Sequence, residues 1–330
     1  MGMTVTLGEI MLRLTPEDNA RFVQADNFRA VYGGAEANVA VGLANMGENA
    51  RFVSKLPAHS IGQAAVNSLR RYGVDTSCIL RGGSRIGTYY LERGASQRAD
   101  QVIYDRDGSA FALSEESEYD WEAVFTGANW FHFTGITPAL GENCLRIVER
   151  ACREAKTRGL TVSCDINYRR KLWEIGQARP AMERLLPYAD VCITNESQAA
   201  ELFGVSSAGE NGEELIAVLS GRFGFKMTAL TYRRTRNANR NTIWAALSDG
   251  HSVAVSRKYE MDMVDRIGGG DAFAAGLIYA CLHGFGLQKS VDFAEAASCL
   301  KHSVEGDQNL VSAEEVEQIA NGGAKGRVQR

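Results

Sequence analysis

Histidine is scarce in this chain of 330 residues, and its five copies, His59, His132, His251, His283 and His302, are scattered. There is no H-E-x-x-H run and no G-x-S-x-G elbow, so a zinc site or a serine triad has little support. His132 sits in an apolar strand-like segment and reads as a core histidine. No Walker loop occurs, and no G-x-G-x-x-G follows the first strand, which argues against a dinucleotide fold. The seven cysteines (Cys78, Cys144, Cys152, Cys164, Cys192, Cys281, Cys299) include no C-x-x-C pair. They read as reduced, mostly buried thiols of a cytoplasmic protein. No apolar run approaches the ~20 residues of a membrane span. The segment Met3 to Leu7 is strand-like from the start, so no signal peptide is expected. The net charge of -4 gives no reason to expect nucleic acid or an anionic membrane as partner. Repeats and low-complexity tracts are absent.

What is present is an ordinary globular composition, 45% apolar and 23% charged, in a length that suits one large domain or a main domain with a small appendage. Residues 321–330 are rich in Gly, Lys and Arg and read as a flexible tail after a domain spanning 1–320.

The most informative stretch is Val264-Asp265-Arg266-Ile267-Gly268-Gly269-Gly270-Asp271. It reads as a tight glycine turn that opens a helix, with Phe273, Leu277 and Ala280 at helical spacing and Gly284 as the stop. Three glycines let the backbone approach a ligand, and the first turn of a helix offers unpaired N–H groups. Together they suit phosphate. A carboxylate beside such a cradle repels phosphate, so Asp271 is either a plain helix N-cap or a base with a task of its own. A second glycine turn, Gly33-Gly34, precedes a small-residue helix carrying Asn38, which offers both donor and acceptor.

In chain order, residues 13–31 look like an excursion from the main sheet, and Ala50 to Lys55 reads as a strand. Ile86 to Arg93 and Gln101 to Arg106 read as an antiparallel pair of strands, making 13–31 and 86–112 a lid. Period-two alternation puts Tyr104 and Arg106 on one face, which suits an anionic ligand or a solvated hairpin. From Trp130 onward, β and α segments alternate, which predicts a mostly parallel sheet with helices on both faces. Ligands in such sheets sit at the carboxyl ends of strands. That rule singles out Asp165-Ile166-Asn167-Tyr168-Arg169 and Thr194-Asn195-Glu196. A strand ends at Thr231, and the run Tyr232 to Arg240 carries four arginines and no acid. It reads as a solvated loop or as the lining of a polyphosphate site.

An α/β chain with two glycine turns, a Tyr/Arg flap and an aspartate at a helix start suits phosphoryl transfer from a nucleotide to a hydroxyl. The Gly33-Gly34-x-x-x-Asn38 segment and the Asp265-x-x-Gly268-Gly269-Gly270-Asp271 segment match, in order and separation, those of a family. The chain resembles the ribokinase-like (PfkB-type) carbohydrate kinases over nearly its full length. Within them it is most similar to the branch of 2-keto-3-deoxygluconate kinases. Tyr89, Tyr104-Asp105-Arg106-Asp107-Gly108, the stretch Asp165 to Trp173 and Gly306-Asp307 point there.

The resemblance implies a three-layer sandwich with a mostly parallel central sheet and a small β lid. It implies ATP and Mg2+ as cofactors, and a homodimer or larger homo-oligomer paired through lids. Asp271 would be the general base, and Gly268, Gly269 and Gly270 the anion hole. Gly33, Gly34, Asn38, Tyr89, Tyr104, Arg106, Arg169 and Asp307 would hold the sugar acid. Asn167, Asn195, Thr231, Gly268 and Gly270 would face the nucleotide. A keto acid has a carboxylate to pair with the arginines, whereas fructose or ribose has none. A fructokinase-like activity and a weakly catalytic sugar-acid sensor are the alternatives. The chain departs from the family in three places: Gln198 stands at the Glu position of N-x-x-E with Glu196 nearby, Arg266 replaces Thr, and Tyr232 to Arg240 replaces a glycine-containing loop.

Overall fold

The computed structural model describes residues 2–206 and 212–323. The chain begins with β1 (Met3–Leu7), β2 (Met11–Pro16), β3 (Phe28–Gly33), α1 (Ala35–Asn45), β4 (Asn49–Leu56), α2 (Ser60–Arg70), β5 (Ile79–Arg81), β6 (Thr88–Glu92) and β7 (Gln101–Asp105). It continues with α3 (Trp121–Phe125), β8 (Ala128–Thr134), α4 (Glu142–Thr157), β9 (Thr161–Asp165), α5 (Ile175–Leu185), β10 (Val191–Thr194), α6 (Glu196–Phe203) and α7 (Glu213–Phe223). It closes with β11 (Met227–Thr235), β12 (Arg240–Ser248), β13 (Val253–Val255), β14 (Tyr259–Asp262), α8 (Gly269–Leu282), α9 (Leu287–Lys301) and α10 (Ala313–Ala320). Of the tail expected over 321–330, residues 324–330 lie outside the described residues.

Ten strands form one sheet in the order β13-β12-β11-β10-β9-β8-β1-β4-β5, with β14 beside β12. From β11 to β5 every pairing is parallel, and the pairings of β12 are antiparallel. The parallel part is covered on both faces, so its strands are buried nearly throughout, polar residues such as Thr4, Thr6, His132 and Ser163 included. In β10, Cys192 enters the core under α4 to α7, while Val191 and Ile193 enter the core under α1, α2, α8, α9 and α10. The result is the three-layer α/β sandwich that the alternating segments predicted.

A second, four-stranded sheet has the order β3-β2-β6-β7. Its β6–β7 pairing is antiparallel, as the polar connection predicted, and β2–β6 is parallel. Met11, Tyr89 and Leu91 form its buried inner face, with Ile267 of the main body packed against them. After β7 the chain returns to the main body at Phe111, which is buried in the core under α4. The run expected as a loop from Tyr232 is instead strand and hairpin. β11 continues to Thr235 and pairs with β12 as far as Asn241. Tyr232 turns inward and stacks on Trp244 at 5.1 Å between centroids, which explains why pairing persists through arginines. The edge strands β5 and β14 are too short to leave a periodic signal.

One buried charge cluster fastens the small sheet to the body. Arg13 of β2 donates from Nη1 to Asp307 Oδ1 at 2.6 Å and from Nη2 to Asp265 Oδ2 at 2.7 Å, and its Nε reaches Thr15 at 2.8 Å. Tyr89 of β6 donates to the other oxygen of Asp307. Asp265 also accepts from the backbone N–H of Ile267 and of Gly306, both at 3.1 Å. Substituting Arg13→Met keeps the bulk but strands two buried carboxylates. It should lower unfolding free energy by about 3–5 kcal/mol in urea titrations. A change below about 1 kcal/mol would show that the cluster is not what fastens the lid.

Candidate active site

Between the small sheet and the carboxyl ends of β9, β10 and β11 lies a cavity of about 1070 Å³. The glycine turn forms its floor. Gly268 caps α8 with φ +86, and a Cβ there would stand 1.8 Å from the Asp307 carbonyl oxygen. Only glycine satisfies both demands. Asp271 is therefore the third residue of α8, which removes the reading of it as N-cap. The amides of the first turn are unpaired by helix geometry and meet the open cavity at Gly270, where a Cβ would meet nothing.

Asp271 is buried, and its Oδ2 accepts from Asn38 Nδ2 at 2.7 Å. Asn38 Oδ1 in turn accepts from the Gly34 N–H at 3.4 Å, so one amide joins the two glycine turns. Gly34 is close-packed, since a Cβ would stand 2.0 Å from the Glu9 carbonyl oxygen. Asp271 Oδ1 has no protein partner among the described residues and is left for a ligand. Burial pushes the Asp271 carboxyl up to about 7, opposed by the Asn38 bond, assisted by Asp165 and Asp307, and opposed again by Arg169. Asp165, at the end of β9, is pushed up to about 6 by burial. It accepts from the N–H and side-chain amide of Asn167, whose φ of +38 lies in the left-handed region that Asn tolerates.

The predicted residues divide as follows. Gly34, Asn38, Tyr89, Tyr104, Asn167, Arg169, Asn195, Thr231, Gly268, Gly269, Gly270, Asp271 and Asp307 line the cavity. Gly33 lies behind it, packed on the Asp307 side chain. Arg106 is not a free anion ligand on the Tyr104 face. It is buried and gives both Nε, at 2.8 Å, and Nη2 to Glu9 Oε2. Asn195 already works as the cap of α6, accepting from Gln198 N–H at 2.9 Å, and Thr231 Oγ1 donates to the Thr194 carbonyl at 3.3 Å. Both carboxylate oxygens of Asp307 are taken by Arg13 and Tyr89. Sequence reasoning missed Glu9 and Arg13 as parts of the site, and drew attention to Asp165 only as part of a strand-end stretch. Arg13 was detectable as the one charge in the apolar alternation of β2, while Glu9 gives no sign of pairing with a residue so far along the chain.

A buried carboxylate at the start of a glycine-turned helix, under a β lid and on a three-layer α/β body, defines a kinase of hydroxylated small molecules. The pfkB family of carbohydrate kinases matches residues 1–314, and the chain belongs to that family. It is 45% identical to the crystal structure of 2-dehydro-3-deoxygluconokinase from Thermotoga maritima, with TM-score 0.94, covering 97% of this chain and 98% of that one. It is 33% identical to 2-dehydro-3-deoxygalactonokinase of Haloferax volcanii over 98% of both chains. It is 27% identical to 2-dehydro-3-deoxygluconokinase of Bacillus subtilis over 92% of this chain and 91% of that one.

The raised Asp271 carboxyl sets a sign for stability. The fold favours its neutral form, so that contribution is complete below the ordinary aspartate value and is lost as pH rises through about 7. Asp271→Asn should therefore raise the melting temperature at pH 8 and change it little at pH 4. A lowered melting temperature at pH 8 would mean that the ionised carboxylate is held by its surroundings.

Proposed function

We propose that this protein transfers the terminal phosphoryl group of ATP to the terminal hydroxyl of a 2-keto-3-deoxy sugar acid, 2-keto-3-deoxygluconate in the first place. The observation that carries the reading is Asp271 itself, with one oxygen held by Asn38, the other open to the cavity, and a carboxyl near 7 beside unpaired amides. The ionised form takes the proton of the substrate hydroxyl as the oxygen attacks. The amides of Gly268, Gly269 and Gly270 receive the charge of the moving phosphoryl group. Arg169, exposed to the cavity, pairs with the substrate carboxylate, and Tyr89, Tyr104, Asn38, Gly34 and Asp307 close around the chain of hydroxyls. Arg106 stays paired with Glu9, whose carbonyl packs against Gly34, and so braces the cavity wall. Gly33 contributes by letting Asp307 approach. Asn167, Asn195 and Thr231 face the nucleotide from the strand ends.

The names of the relatives support the sugar-acid class. That of the Haloferax relative favours the galactonate epimer as a second reading. Magnesium fits the oxygen donors present: Glu196 and Asn195 line the cavity, and no cluster of three or more metal-ligating side chains exists among the described residues. Such a site holds Mg2+ through one carboxylate, waters and the nucleotide phosphates, and the ion would neutralise phosphate charge. A cytoplasmic location agrees with seven free cysteines, and no helix among the described residues is long and apolar enough to cross a membrane. Phe22, Phe28 and Tyr90 form an aromatic cluster on the small sheet, and Val23 beside it is 90% exposed, which suits a second copy of the chain.

ADP release with Mg-ATP tests the reading. The protein should turn over 2-keto-3-deoxygluconate or its epimer at least about 10²-fold more efficiently than fructose or ribose, because a cation left facing a neutral sugar has no partner. Asp271→Asn should lower kcat by about 10²–10⁴-fold. For the unaltered protein, kcat/KM should rise with pH to about 7 and then level, since only the ionised base acts. Equal turnover of neutral sugars would overturn the assignment of Arg169.

A further inference from the structure

Three guanidinium groups, Arg169, Arg233 and Arg266, line the cavity near enough to act on one another, and none has a carboxylate within 4.0 Å among the described residues. Like charges gathered without counter-ions are costly, and an anion with several charges removes that cost. Arg233 feels this most. Its head opens to the cavity yet is crowded by protein, and burial lowers it to about 10, helped by Arg266 and Arg169 and resisted by Glu295 and Asp100.

Arg233 is also held in place. Its Nη2 lies 3.0 Å from His302 Nε2 at the end of α9. The other ring nitrogen, Nδ1, lies 2.6 Å from the Ser298 carbonyl oxygen. A carbonyl only accepts, so Nδ1 carries the ring proton and Nε2 is left to accept from Arg233. His302 is 1% exposed and lies directly under the glycine turn. A Cβ on Gly269 would stand 2.2 Å from its ring. The imidazole is thus a wedge between the turn and the arginine. It aims a guanidinium at the space beside the amides of Gly268 to Gly270. Glu295, buried two turns earlier on α9, makes no bond to Arg233, and burial pushes its carboxyl up to about 8. The fork of Arg233 is turned to a neutral acceptor, and its remaining N–H groups have no partner among the described residues.

We propose that Arg233 contacts the phosphate chain of the nucleotide next to the transferred group, that Arg266 shares this contact, and that His302 is the positioning residue that aims Arg233. The inference rests on the reading of the site as one that transfers a phosphoryl group from ATP. Charge accumulates on the leaving diphosphate as the phosphoryl group departs, and a guanidinium already in place lowers the cost of that charge. The same arrangement gives the basic run after Thr231 a task at its first arginine.

The test compares wild type with Arg233→Ala, Arg233→Lys, His302→Gln and His302→Leu. The measurements are KM for ATP, KM for 2-keto-3-deoxygluconate, kcat, and binding of ADP and of inorganic tripolyphosphate by calorimetry. Arg233→Ala should weaken both phosphate ligands about 10- to 100-fold while the sugar-acid KM stays within about twofold. Added guanidinium should restore part of its rate. His302→Gln keeps an acceptor near the Nε2 position and should stay within about fivefold of wild type, whereas His302→Leu should approach Arg233→Ala. Unchanged ADP and tripolyphosphate binding in Arg233→Ala, with wild type active, would overturn this inference alone. A parallel loss of both substrates with a lowered melting temperature would make Arg233 structural and would also overturn it. Failure of wild type to bind ATP or phosphorylate any sugar acid would instead overturn the reading on which the inference rests.

Discussion

One guanidinium shared by two buried carboxylates is the interaction on which the site depends. Arg13 comes from the small sheet, Asp265 from the start of the glycine turn, and Asp307 from the segment after α9. No one of these segments has a reason of its own to sit where it does. Buried charges that must pair leave few arrangements open, and a guanidinium fork fixes direction as well as distance. Asp265 then holds the backbone at Ile267 and Gly306, and Asp307 receives the Tyr89 hydroxyl. Sheet, turn and cavity wall are thus set by a single knot of charge. Both Asp265 and Asp307 are consumed by this work, which leaves Asp271 as the carboxylate on the glycine turn with an oxygen to spare.

The cavity is lined by groups of both signs. Asp165 and Asp271 are raised chiefly by burial, Arg169 lowers both, and Arg169 and Arg266 act in turn on Arg233. A ligand with a hydroxyl at one end and several negative charges beyond it relieves both sets at once. The carboxylates need a proton donor nearby, and the arginines need anions. This complementarity explains why a base can sit beside a phosphate cradle without defeating it: near pH 7 the Asp271 carboxyl is close to half protonated, and the ionised form becomes neutral as it takes the substrate proton, so its repulsion falls as the phosphoryl group moves.

Much of this was legible in the sequence, and what was not has physical causes. The parallel layers were readable because short, mostly apolar strands alternate with helices that carry their stops. Met3 to Leu7 and Ala50 to Lys55 fall where the pattern puts them. The glycine turn and Asp271 were readable because no other arrangement of residues makes three glycines before a carboxylate useful. The β11–β12 hairpin was not, because its arginines occupy the exposed positions of a strand whose inward positions hold only Tyr232 and its partners. Arg106 was read as free because nothing in its neighbourhood names Glu9. His302 looked like one scattered histidine among five. Its place under Gly269 comes from the packing of α8 on α9, and side-chain spacing along the chain carries no trace of that.

The claim that the sugar acid enters with its carboxylate toward Arg169 and its far hydroxyl at Asp271 fixes which oxygen is phosphorylated. Phosphorus NMR of the product made from 2-keto-3-deoxygluconate and Mg-ATP reads this directly. A phosphate on the terminal carbon couples to two protons and gives a triplet, which is the result the account predicts. A doublet, from an ester on a secondary carbon, would mean that the substrate lies the other way in the cavity and that Asp271 does not serve the terminal hydroxyl.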